Sequence, residues 1–193
     1  MLLHKTIWLF ANMAQELTEV NGVLKRFRDY VIQQSRSNLS KSDKNVSKEL
    51  YDSLKGEILT ENNYSIVGFS MAYYGQFQDQ GVKGKSNSAK APNSPFKFGT
   101  GSGVKGGLTK SIEKWVRARG FQFREKDSGK FMSYKQTGYL ISRSIFHKGI
   151  KPSLFFTKPF EAGYKKYIDT DLMKAFGQDI ETMVDYNLKD INK

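Results

Sequence analysis

Between Gly81 and Leu108 the chain carries seven of its 17 glycines, two of its four prolines and no acidic residue. Such a stretch cannot bury enough apolar surface to organise a core of its own, so the fold must be built before and after it. On its N-terminal side, Tyr64, Ile66, Val67, Phe69 and Met71 predict an apolar strand. Tyr73, Tyr74 and Phe77 then recur at near-helical spacing until Gly81 and Gly84 interrupt any regular element. The expected arrangement is an aromatic base from which residues 81–108 extend as an arm tipped by Phe96 and Phe98.

The flanking segments supply the core. Leu17, Val20, Leu24, Phe27 and Val31 alternate spacings of three and four, which predicts a long amphipathic helix from about Asn12 to Leu39. A helical start near Leu50 passes into a strand near Ser53, and the turn signal Glu61-Asn62-Asn63 joins that strand to the next as a hairpin. Beyond the glycine-rich stretch, Leu108, Ile112, Trp115 and Val116 share a helical face that Gly120 terminates. A second helix is expected from about Tyr134 to Lys148, stopped by Gly149, with residues 121–132 between the two as an ordered loop.

Ser153–Thr157 reads as a short strand or extended segment broken by Pro159. Leu172, Phe176, Ile180, Met183, Val184, Leu188 and Ile191 then mark a final helix, residues 169–193, with Asp169 and Asp171 placed to cap it. The fold class is α+β: a long N-terminal helix packed on a small antiparallel sheet, with additional C-terminal helices and a long glycine-rich loop, forming one domain over residues 1–193.

Composition excludes several functions. The absence of cysteine removes disulfides, thiolate metal sites and cysteine nucleophiles together, and suits a reducing compartment. The apolar run Ile7–Ala11 is too short for a signal peptide, and no stretch approaches the roughly 20 apolar residues of a membrane span, so an intracellular or particle-enclosed protein is expected. The net charge of +12 is unevenly placed: residues 111–160 hold eleven Lys and Arg against three acids, whereas residues 161–193 hold five against seven. Opposite signs on two regions suit head-to-tail packing of identical subunits as well as nucleic-acid contact.

No motif asks for a catalyst. Asp79–Ser86 departs from a phosphate-binding loop at its first glycine, and Gly101, Gly103 and Gly106 match a dinucleotide pattern without the strand and βαβ unit it needs. His4 and His147 form no cluster, and Asp169, Asp171, Asp179, Glu181 and Asp185 are expected on the solvated side of the last helix. No catalytic, metal or cofactor site is therefore predicted. Nucleic acid is the alternative partner: Lys114, Arg117, Arg119, Arg124, Lys126 and Lys130 surround Trp115, Phe121 and Phe123, a mixture suited to phosphate contact and base stacking within residues 110–135, although Trp115 and Val116 are better used in a core.

Three segments occur in a fixed order: Tyr74-Gly-Gln-Phe77-Gln-Asp79-Gln-Gly81-Val-Lys83-Gly84, then Ile112-x-x-Trp115-x-x-x-Arg119-Gly120, then Tyr139-x-Ile141-x-Arg143-x-Ile145-x-x-x-Gly149-Ile150 leading into Phe155-Phe156-x-x-Pro159-Phe160. Together they resemble the neck, head-to-tail connector and tail-completion proteins of tailed bacteriophages and, more narrowly, a crAss-like phage neck-ring protein. The resemblance spans roughly residues 50–190. It implies a virion structural protein without a cofactor, assembled in the host cytoplasm into a ring, commonly of twelve copies, that attaches the tail to the portal. Its partners would be further copies, the portal, other neck or tail proteins and DNA in transit, with no membrane. On this resemblance the expected subunit or portal interface comprises Tyr74, Phe77, Asp79, Gly81, Lys83, Gly84, Phe96, Phe98, Phe155, Phe156, Pro159 and Phe160. Arg117, Arg119, Arg124, Lys126 and Lys130 are the candidates to face DNA.

Overall fold

The computed structural model describes residues 17–41, 48–61, 64–101 and 107–191, and the expectations for residues 12–16, Asn62, Asn63 and 102–106 lie outside it. The fold is α+β. Its elements are α1 (Thr18–Lys41), α2 (Glu49–Ser53), β1 (Lys55–Glu61), β2 (Tyr64–Ser70), α3 (Gly75–Gln80), α4 (Gly107–Arg119), α5 (Tyr134–Lys148), α6 (Thr157–Gly163) and α7 (Asp169–Ile191). A π-helical turn, Tyr164–Ile168, links α6 to α7. The described residues group into two compact units, one drawn from Met1–Asn38, Tyr51–Met71 and Phe156–Lys193, the other from Leu39–Leu50 and Ala72–Phe155.

The first unit is built on side-chain packing. Val23, Leu24, Phe27 and Val31 of α1 are buried at the predicted periodicity. The hairpin pairs antiparallel from Lys55↔Ser70 to Glu61↔Tyr64. Phe69 of β2 meets Phe27, Phe156 and Phe160 edge-on at centroid separations of 5.8, 5.5 and 5.9 Å, and Phe27 meets Phe160 at 5.5 Å. Gly163 lets α6 sit on these rings, since a Cβ there would approach Tyr30 to 3.0 Å and Phe27 to 3.2 Å. The guanidinium of Arg36 donates to the carbonyls of Tyr51 and Leu54, tying α1 to the entry of β1.

Three expectations for residues 153–171 are corrected. Pro159 does not break the chain: it occupies the first turn of α6, where a helix has no use for the missing N–H. Ser153–Thr157 forms no strand, since Leu154 adopts a left-handed φ of 52° and α6 begins at Thr157. Asp169 and Asp171 do not face free N–H groups at a helix start, because α6 and the π turn run continuously into α7.

The second unit is built on backbone crossings. Val82 and Ile150 exchange both hydrogen bonds, Val82 N–H donating at 3.0 Å and Ile150 N–H at 2.8 Å. The N–H of Lys85 donates to Phe146 O, and those of Ser86 and Asn87 donate to His147 O. The C-terminal carbonyls of α3 are met by Ser153 and Leu154, whose N–H groups donate to Gln78 and Asp79. Segment 81–101 is therefore not an extended arm. It folds back on the end of α5 because its backbone polar groups find partners there, which its composition does not reveal.

Helices α4 and α5 are packed neighbours joined by residues 120–133. Gly138 of α5 lies against the backbone of Glu113, where a Cβ would come within 3.0 Å of its Cα. Val116 and Thr137 are fully buried, and the Thr137 hydroxyl accepts from Phe123 N–H at 3.2 Å. Ser133 and Gln136 close a reciprocal cap on α5, and Gly120, at φ 64°, ends α4 as its position predicts.

Candidate interaction surface

The residues expected at an interface divide by burial. Asp79, Gly81, Gly84, Phe155 and Pro159 are buried within their own units. Phe156 and Phe160 belong to the aromatic cluster around Phe27 and Phe69. Phe96 and Phe98 are not exported tips: Phe96 packs edge-on against Phe77 at 4.7 Å, and Phe98 lies 5.8 Å from Phe146. Lys83 is half-buried and uses its backbone on both sides, its N–H donating to Phe96 O and its carbonyl accepting from Phe98 N–H. Of the set, Tyr74 is exposed. Partial burial, reinforced by the negative charge of Glu49, holds its hydroxyl above the ordinary tyrosine range, with a backbone hydrogen bond at Leu50 acting in the opposite direction.

The glycines have a structural reason. A Cβ on Gly81 would meet Ile150 O at 2.5 Å, one on Gly149 would meet Val82 O at 2.3 Å, and one on Gly84 would meet His147 O at 2.1 Å. Gly81 and Gly149 also hold φ values of 71° and 81°. These three positions let two backbones touch, and the N–H groups a phosphate would need are already donated to carbonyls. Ser86 Oγ lies 2.9 Å from His147 Nδ1, which fastens the loop to the last turn of α5.

The basic residues of 110–135 differ in their contacts. Arg117 pairs with Glu113 at 2.9 Å and covers the Tyr134 ring, and Arg124 lies 4.0 Å above the Phe131 ring while donating to Gly129 O. These two guanidiniums stabilise the local structure of the α4–α5 connection. Lys114, Arg119, Lys126 and Lys130 are exposed. Trp115, expected in the core, is 39% exposed, and Phe121, Phe131, Tyr139 and Leu140 are more open still. Val116, its neighbour, takes the buried position instead because α4 turns that side toward α5.

Two features escaped the sequence. Asp179 is buried, not solvated: its carboxylate accepts from the N–H groups of Glu19 at 3.1 Å and Val20 at 2.9 Å. It supplies an acceptor to the first turn of α1 and sets a negative group at the positive end of that helix. The second is on α7, where half-buried Leu172 and buried Ala175, Asp179 and Met183 form the covered column of the helix. Met173, Phe176, Ile180 and Val184 recur at spacings of three and four yet stand 75%, 48%, 39% and 50% exposed. The signal was legible, since the helix carries more apolar positions than one buried face can use.

Among the described residues no group of three or more His, Cys, Asp and Glu is placed to hold a metal ion. Among the same residues no helix is long and apolar enough to cross a membrane. Comparison of the chain with protein-family models, curated proteins and solved structures returned no match.

Proposed function

We propose that this chain is a non-catalytic structural subunit of a bacteriophage neck, forming a ring that attaches the tail to the portal. The observation that carries the reading is the presence, on one chain, of two exposed apolar surfaces of opposite charge: the α7 stripe beside Glu181 and Asp185, and the α4–α5 surface with Trp115, Tyr139 and Leu140 among lysines and arginines. Exposed apolar surface rimmed by charge marks a protein interface, and complementary patches on identical subunits favour head-to-tail association, the kind of contact from which rings are built when the rotation closes. The ordered motifs between Tyr74 and Phe160 add the resemblance to neck proteins.

The native mass of the purified protein, with negative-stain images alone and with portal, tests the proposal. Closed rings, or rings formed on addition of portal, are the expected result. A monomer that ignores the portal and holds a defined DNA or RNA site would overturn it. The second reading, nucleic-acid binding, rests on exposed Trp115 and Phe121 beside Lys114 and Arg119. In a neck subunit any DNA affinity is weak, nonspecific and steeply salt-dependent, whereas a specific binder exceeds its own nonspecific affinity by about a thousandfold or more.

A further inference from the structure

Resting on the ring reading, we infer that the interface is a helix-to-helix contact in which the exposed stripe of α7 from one copy docks on the outer face of α5 from a second copy. The stripe from Met173 to Val184 is about 16 Å long at the α-helical rise, three helical turns of open apolar surface. Its buried neighbours already hold α7 in its own unit, so Phe176 and Ile180 are surplus to that packing. Glu181 and Asp185, each one residue beyond Ile180 and Val184, are exposed and set an acidic edge along the C-terminal half of the stripe, while exposed Lys174 stands beside Met173 at its start.

The outer face of α5 has the complementary chemistry. Tyr139 and Leu140 are 54% and 41% exposed, and Lys135 and Arg143 stand one turn before and one turn after Tyr139 on the same column. None of Lys135, Arg143, Glu181 and Asp185 has an ion-pair partner among the described residues. An apolar pair bracketed by cations thus faces outward on one helix, and an apolar row edged by carboxylates faces outward on another. The α5 face is not self-complementary, since α5 against α5 opposes cations, and the acidic half of α7 finds on α5 two cations where α7 sets exposed Lys174 beside its own stripe. The charges therefore select the heterologous pairing over a two-fold dimer.

The absence of native cysteine makes the contact testable by disulfide formation. Ile180→Cys and Tyr139→Cys are prepared as separate proteins, oxidised alone and as a mixture, and a disulfide-linked dimer is expected in the mixture but in neither protein alone. In parallel, Glu181→Lys with Asp185→Lys, and Lys135→Glu with Arg143→Glu, are each expected to weaken self-association about tenfold or more, while the four changes together in one chain restore it. Circular dichroism confirms that each variant is folded. Rings that persist unchanged in both charge-reversed variants, without the mixed disulfide, overturn the α7–α5 contact and leave the ring reading standing. A wild-type chain that stays monomeric with and without portal overturns the ring reading itself. An intramolecular disulfide in a chain carrying both Ile180→Cys and Leu9→Cys would show that the N-terminal segment covers the stripe, and the inference fails.

Discussion

The two units solve the same stability problem by different means. In the first, α1, the hairpin and α6 meet through aromatic rings, and Phe27 and Phe156 each contact both Phe69 and Phe160. In the second, residues 81–87 and 146–150 meet backbone to backbone, and the side chains that matter at the crossing are those that are missing. A ring cluster is non-directional and tolerates repacking at similar volume. A backbone crossing with left-handed glycines on both sides tolerates almost no added atom.

The largest expected effect is therefore on the aromatic side. Phe27→Ala should destabilise the protein by about 3–5 kcal/mol, read by urea or thermal unfolding, whereas Phe27→Leu should recover most of that loss. Equal loss from both substitutions would show that ring geometry, and not volume, organises this unit.

Gly149→Ala is expected to cost about 2–4 kcal/mol although it adds one methyl group, because the new Cβ meets Val82 O and the φ of 81° strains any L residue. Gly101→Ala, also at positive φ but in open space, provides the control, and should cost about 1 kcal/mol. A Gly149→Ala protein as stable as the control would mean that the crossing yields easily, and the contrast between the units would disappear.

The smallest effect is at Tyr74. Its hydroxyl is held above the ordinary value, so between that value of 10.0 and the folded one the folded chain retains a proton that the unfolded chain has lost. Its contribution is complete below pH 10 and is lost as pH rises through the folded value. Unfolding measured from about pH 9 upward should thus show a slightly steeper decline in wild type than in Tyr74→Phe, and identical slopes would remove Glu49 and burial as influences on this site.

Much of the secondary structure was legible because its causes are local. Helical periodicity placed α1, α4 and α5, Gly120 and Gly149 marked two helix ends, and the apolar run from Tyr64 placed β2. The Ser133-x-x-Gln136 cap was equally available in the sequence as an N-terminal signal. The candidate surface was legible in part: the basic aromatic content of 110–135 and the excess of apolar positions on α7 are both written in the chain, but which of those residues remain open is not.

By itself, the sequence determined the class of fold, the helix and hairpin boundaries set by periodicity and caps, and the opposite charges of the middle and the tail. Tertiary structure alone decided what the glycines are for, where the 81–101 segment goes, that Asp179 caps a helix 160 residues away at Glu19, and that Trp115 is open while Val116 is closed. The physical reason is range. Caps, turns and periodicity act over a few residues and leave their mark in local composition, whereas the meeting of Gly84 with His147 or of Asp179 with Val20 depends on which distant backbone arrives, and no local pattern records that.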